Sequence, residues 1–392
     1  MVFLVRGEVT ILVGGMRVTA GRLSLALTAA SCAGLALAAG RGHLGALSEN
    51  VSDTEEAMAA ALAAGGEYKL HLTPHYAIVY SGATEIAKAR GALLERGYNA
   101  FFTFLKHLGF ELDGPPHKLT VIVFDEEEQF LAYRRADGLA GPADPRLVLQ
   151  GYYRANTNRS VFFNQTKGRA FTQAREAFER LAATLERIPG PPETEIVVTT
   201  PDGAQKTTKQ EAARQLQELA DELAERFNEE NQEVTLHEGA HQLAFNTGLQ
   251  TRERSYPFWV TEGLACMFET PSSKTTFSAY SLNAARMNDY HRAKQEGRLL
   301  GARRLLSAEE LPADRMPEAY AEAWSLFFYL LKRQPRELRA YLHELTRRQP
   351  AGDPHAGKPD ELELFTRHFG ADLAEFQQRW DRFMDRLMAT NQ

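Results

Sequence analysis

Two stretches of this chain carry apolar residues spaced alternately three and four apart. Phe171, Ala174, Phe178, Leu181, Leu185 and Ile188 form one stripe, and Ala212, Leu216, Leu219, Leu223 and Phe227 form a second. With about 3.6 residues per turn, each stripe lines one helix face. They predict two amphipathic helices packed on each other or on a core. The segment "PGPPETEIVVTTPDGAQKTT" lies between them. A helical hairpin over 169–228 whose tip gates a cleft or docks a partner is the functional alternative.

Upstream the period shortens. "VSDTEEAMAAALAAGGE" reads as a short helix and linker, and the strand-like runs "EYKLHL" and "YAIVY" follow, separated by "TPH". A helix is expected from about Glu85 to His107, with Leu93, Leu94, Phe101 and Leu105 among its apolar positions. "KLTVIVF" reads as a buried strand and "DEEEQFLAYRRA" as a helix whose acidic residues favour its N-terminus. "LVLQGYYRANTNRSVFFNQ" reads as two strands joined by a polar turn. Downstream, "SLNAARMNDYHRAKQEG", "EAYAEAWSLFFYLLKRQ" and "ADLAEFQQRWDRFMDRL" read as helices, the first with polar groups suited to a cleft and the last a closing amphipathic helix. There is no internal repeat and no long low-complexity segment.

The N-terminus differs from the rest. "RLSLALTAASCAGLALAAG", residues 22–40, is an apolar run after Arg17 and Arg22 that ends in small residues. It fits a secretory signal, so residues 1–40 are expected to be a signal peptide or an uncleaved N-terminal anchor. Met16 begins a more typical signal than Met1. An exported protein follows, periplasmic, cell-surface or secreted, with the membrane a partner only if the anchor is kept. Cys32 after "TAAS" raises a lipoprotein site, but apolar residues continue past it.

Composition narrows the function classes. The chain has 392 residues, 44% of them hydrophobic, enough for one large bilobal domain or two small ones. A formal net charge of −6 argues against a nucleic-acid partner, because phosphate binding needs a basic surface. Cys32 and Cys266 are the only cysteines, so no disulfide framework exists. Cys266 reads as buried helix packing.

The candidate chemistry lies in "VTLHEGAHQLAFN", residues 234–246. His237 and His241 stand one helical turn apart on one face and can share a Zn²⁺, while Glu238 projects beside the pair, within reach of a water. This is the H-E-x-x-H pattern, in which the glutamate serves as general base. A catalytic zinc takes three protein ligands. The continuation H-x-x-G-x-x-H is absent, since the diagnostic positions are Ala244 and Thr247. Asn246 and Gly248 signal the helix end. "FWVTEGLACMFE" then reads as a second helix opening near Thr261.

The pairing of HEGAH with W-V-T-E-G-L-A resembles the gluzincin metallopeptidases, the thermolysin-like class, and within it an exported bacterial group with uncharacterised substrates. The resemblance is specific over about 230–270 and otherwise rests on element order. It implies His237, His241 and Glu262 as zinc ligands and Glu238 as base. Glu269 is the rival third ligand; otherwise it orients a ligand histidine or is a solvated charge. Tyr320 fits the oxyanion donor that such enzymes draw from their helical lobe, with His291 as runner-up and a core tyrosine as the bland alternative.

The implied fold is α+β and zincin-like: a bilobal metallopeptidase with an N-terminal α/β lobe over 66–168, its mixed sheet and an active-site helix, the hairpin insertion at 169–228, and a mainly helical C-terminal lobe over 229–392. "RSVFFNQ" would be the edge strand against which an extended peptide pairs. The implied function is zinc-dependent hydrolysis of peptide bonds in a peptide or protein substrate. An exported non-catalytic zincin-fold binding or scaffold protein is the alternative, disfavoured by an intact Glu238. Cleavage preference and oligomeric state stay open. His71, His75, His107 and His117 read as surface or capping residues.

Overall fold

The structure, a computed structural model, describes residues 7–13, 16–23, 53–139, 150–200, 203–270, 279–307, 311, 313–347 and 361–390. Its strands are β1 (Gly7–Val13), β2 (Met16–Leu23), β3 (Lys69–Leu72), β4 (Tyr76–Tyr80), β5 (Leu119–Phe124), β6 (Gly151–Arg154), β7 (Arg159–Phe163), β8 (Glu195–Thr200) and β9 (Gly203–Thr208). The first six helices are α1 (Asp53–Ala63), α2 (Thr84–His107), α3 (Glu127–Ala136), α4 (Arg169–Glu186), α5 (Lys209–Asn246) and α6 (Phe258–Cys266). Six more follow: α7 (Ala284–Gln295), α8 (Ala302–Ser307), α9 (Met316–Arg333), α10 (Pro335–Thr346), α11 (Glu361–Phe369) and α12 (Leu373–Thr390). The chain is thus α+β, divided into two compact units.

The first unit comprises 1–30, 125–148 and 163–231. The two stripes pack on each other except at Leu219, which is 43% exposed: Ala174 on α4 meets Leu223 and Phe227 on α5, and the Phe171 and Phe227 rings meet edge to face at 5.1 Å. The segment between the stripes is itself structured. β8 and β9 form an antiparallel hairpin that extends a four-stranded sheet in the order β2-β1-β8-β9. The β-branched run from Ile196 to Thr200 suits a strand, and Ile196 closes a small core with Leu185, Ile188 and Ala212. The apolar run read as an export signal lies outside the described residues from Ser24 onward. Among the described residues, no helix is long and apolar enough to cross a membrane.

The second unit comprises 31–124, 149–162 and 232–392. The lobe expected over 66–168 therefore gives α3 and the stretch after Phe162 to the first unit and gains α1. α5 does not break at the expected boundary of 228/229 but continues through it. "NEENQE" holds no glycine or proline, and Arg226 pairs with Glu229 and Glu230 along the helix surface.

The second unit's sheet is mixed, in the order β3-β4-β5-β7-β6, with β4 and β5 parallel. This corrects one expectation. β7, within "RSVFFNQ", lies between β5 and β6, so the edge on that side is β6. All five β7 residues are buried, as in a strand covered on both faces, whereas Tyr153 and Arg154 of β6 are part-exposed. α2 and the end of α5 pack closely through two glycines: a methyl at Gly97 would lie 2.8 Å from Leu236, and one at Gly239 would lie 3.1 Å from Leu94.

The helical part is built around α9, which is buried from Glu318 to Leu331. A helix apolar on nearly all sides belongs inside a core. Trp259, Trp324 and Trp380 are buried in the surrounding cluster. Truncating such a side chain to alanine costs about 3–5 kcal/mol.

Candidate metal centre

The last three turns of α5 carry the motif and are tied to the sheet by polar side chains. Gln242 donates to the Thr120 and Asn158 carbonyls, 2.9 Å each, and Ser160 donates to Gln242 Oε1 at 3.1 Å. Asn246 exchanges hydrogen bonds with Asn158, which turns the β6–β7 connection with φ 56°. Gly248, at φ 76°, closes the helix as expected. These ties fix the rotation of α5 about its axis, and with it the direction of His237, Glu238 and His241.

α6 supplies Glu262. It opens at Phe258 after Pro257, one turn earlier than expected, so Glu262 lies in its second turn. The glycine that follows has a packing reason. A methyl at Gly263 would stand 2.6 Å from the Ala323 carbonyl of α9, so glycine lets α6 and α9 touch backbone to backbone. That approach brings Tyr320 of α9 beside the motif, with its ring 6.0 Å from that of His237.

Three donor atoms converge. His237 Nε2 lies 3.1 Å from His241 Nε2 and 3.1 Å from Glu262 Oε2, and His241 Nε2 lies 3.3 Å from the same oxygen. Donors each about 2.0–2.2 Å from one tetrahedral ion stand about 3.3–3.6 Å apart, so the spacing fits a zinc cage. The chemistry fits as well. His237 Nδ1 faces Glu269 Oε1 at 2.8 Å and donates its proton there. A neutral imidazole then has only a lone pair on Nε2 to offer Glu262 and His241. The His237 lone pair thus faces a Glu262 oxygen, and a cation shared with His241 would hold the pair together. His237, Glu262 and His241 are 0%, 2% and 7% exposed, so water does little to relieve the repulsion.

Glu238 is held differently. Its Oε2 accepts the Tyr153 N–H of the edge strand β6 at 2.7 Å, while Oε1 is buried without a hydrogen-bond partner. Burial raises its pKa above the ordinary carboxylate value; the two histidines oppose this and Glu262 adds to it. For Glu262, burial alone would raise the pKa, but His241 and His237 bring it down to about 2. The two carboxylates are thus pushed apart, one toward holding a proton and the other toward holding a cation.

Behind His237 a second group of possible ligands, His237, Cys266 and Glu269, also lies within ligating range. It is a poorer cage. Burial pushes the Cys266 thiol up to about 11, so a ligating thiolate is costlier here than in water. Each Glu269 oxygen already accepts two hydrogen bonds: Oε1 from His237 and from Arg286 Nη2 at 2.6 Å, Oε2 from Arg286 Nε at 2.7 Å and from Asn283 at 2.9 Å. Arg286 holds the Glu269 pKa well below the carboxylate range against the effect of burial. Of the two readings of Glu269, the orienting one describes these contacts and the solvated one does not.

The expected residues His237, Glu238, His241, Glu262 and Tyr320 thus gather in the second unit, whereas His291 does not join them. Its ring nitrogens face Met388 Sδ and Gln295 Nε2. His75 pairs with Glu95 in the middle of α2 at 2.6 Å, and its side chain is 40% exposed, as a surface histidine's would be. Sequence reasoning missed Tyr153, Asn283 and Arg286. Only the polar character of the stretch that becomes α7 hinted at the last two. Residues 233–352, a span that includes both histidines, Glu238, Glu262, Glu269, Arg286 and Tyr320, match a family described as "Protein of unknown function (DUF1570)", and no curated protein matches the chain.

Proposed function

We propose that this protein is a zinc-dependent metallopeptidase that hydrolyses peptide bonds outside the cytoplasm. The observation that carries the reading is a cage of three donor atoms 3.1–3.3 Å apart, beside a buried glutamate with one free carboxylate oxygen. Zinc held by His237, His241 and Glu262 would supply Lewis acidity toward a carbonyl oxygen and toward a water. Glu238, anchored at Oε2 by the Tyr153 N–H, presents Oε1 to take the water's proton and later return it to the leaving amine. A base with a raised pKa suits both halves of that transfer. Tyr320, next to the His237 ring, is the proposed donor to the developing oxyanion. The peptide as substrate rests on the resemblance of HEGAH and WVTEGLA to gluzincins, and the location on the N-terminal apolar run.

The test combines metal analysis of the purified chain with cleavage of a mixed peptide library. One zinc per chain and chelator-sensitive cleavage that disappears in Glu238→Gln are expected. A zinc-free protein, or cleavage unchanged in that variant, would refute the reading. Full zinc occupancy without cleavage of any peptide would favour the non-catalytic binding protein.

A further inference from the structure

Arg286 is a buried cation at the first turn of α7, 7% exposed. It is the third helical residue after the cap Asn283, whose Oδ1 accepts its backbone N–H at 3.1 Å. Asn283 turns its amide to Glu269 and to the Cys266 carbonyl. Arg286 itself grips Glu269 with two nitrogens, one on each oxygen. Its guanidinium also lies over the Tyr320 ring, with Cζ 5.4 Å from the centroid. One side chain therefore touches both the carboxylate that binds His237 Nδ1 and the aromatic ring next to the His237 imidazole.

We propose that Arg286 is a positioning residue of the metal centre, an inference that rests on the zinc-peptidase reading. Through Glu269 it fixes the tautomer and rotation of His237, so that Nε2 points at Glu262 and His241. Through its face it holds the Tyr320 ring in the same frame. A carboxylate with one partner could swing, but Glu269 has four hydrogen bonds to three side chains and cannot rotate without breaking two. A guanidinium is needed because a single planar group must meet a carboxylate edge-on and an aromatic ring face-on, which an ammonium does not match.

The experiment measures zinc affinity of the full chain by competition with a chromogenic chelator, with the visible spectrum of the Co²⁺-substituted protein as a second readout. Arg286→Lys is expected to weaken zinc binding about 10-fold and Arg286→Met toward about 100-fold, the range found when groups supporting a ligand are removed. The Co²⁺ spectrum should change in both, and kcat should fall more than KM rises. Adding Glu269→Gln to Arg286→Met should weaken binding little beyond the single variant, since both act through one contact. If Arg286→Met does not fold, Arg286→Lys and the double variant carry the test. A lowered melting temperature with zinc affinity within twofold of wild type and an unchanged Co²⁺ spectrum would make Arg286 merely structural and overturn the inference. A wild-type chain without zinc would instead remove the reading beneath it.

Discussion

His237 belongs to two buried clusters, one on each ring nitrogen, and the two differ in how completely their polar atoms are satisfied. On the Nδ1 side, Glu269, Arg286 and Asn283 form a closed network in which each carboxylate oxygen accepts two hydrogen bonds. On the Nε2 side, the His237 lone pair meets a Glu262 oxygen, acceptor against acceptor, and Glu238 keeps one oxygen unpartnered. Both clusters are buried, and both have the residue types and spacing of a metal site. Buried polar groups are ordinarily paired, so an unsatisfied set marks where a ligand belongs and a satisfied set marks its support. Residue type and distance alone would not separate the two.

That contrast is most severely tested at the shared residue. His237→Ala removes a donor from both clusters and leaves Glu269 without one of its three partners; it is expected to abolish zinc binding, as is His241→Ala. Metal analysis of the purified variants checks this, and undiminished zinc in either would break the assignment. Next in size is the effect of Glu238→Gln, which keeps the shape but removes the base. Hydrolysis should fall by about 10²–10⁴-fold while zinc is retained. Zinc loss in this variant would make Glu238 a ligand or a support and move it across the comparison.

The two remaining carboxylates sharpen the contrast directly. Glu269→Gln is expected to weaken zinc by about 10–100-fold, the usual effect of disturbing a ligand's support. Glu262→Gln should weaken it more, because it alters an atom proposed to touch the ion. The reverse order in chelator competition would exchange the roles of the clusters. A smaller loss is expected from Gly263→Ala. Its methyl meets the Ala323 carbonyl, and overpacking of this kind costs about 1–3 kcal/mol in thermal or denaturant unfolding. Smallest of all is Cys266→Ser. The Glu269 oxygens beside it are already saturated by four hydrogen bonds, so zinc affinity should stay within about twofold by the same competition; a larger loss would bring the second cluster into the metal site.

Much of the site was legible because its signal is local. The four-residue spacing of His237 and His241 fixes a shared helix face wherever that helix goes. Gly248 declares a helix end by its own conformational freedom. The runs "YAIVY" and "KLTVIVF" declare strands by composition, and Tyr76–Tyr80 and Leu119–Phe124 are buried throughout. The stripes on α4 and α5 declare a mutual packing that the Phe171–Phe227 contact realises. Less legible was "EIVVTTPDGAQKTT", whose β-branched run contains a strand signal that the flanking helical stripes overshadowed. The continuity of α5 through "NEENQE" also escaped pattern reading. A helix needs only an unbroken backbone and tolerant side chains, not an unbroken apolar face.

The sequence by itself determined that His237 and His241 share a helix face with Glu238 beside them, and most of the helices and strands around them, because these depend on neighbours a few residues apart. Tertiary structure alone decided which of β6 and β7 is the edge, since that depends on which strand is paired on both sides. It alone brought Glu262 of α6 to the histidines of α5 and opposed Glu269 to His237 across 32 residues. It alone paired Arg286 of α7 with both Glu269 and Tyr320. Hydrogen bonds and ion pairs between distant elements leave no period in the sequence; they exist only when packing brings both partners to the same place.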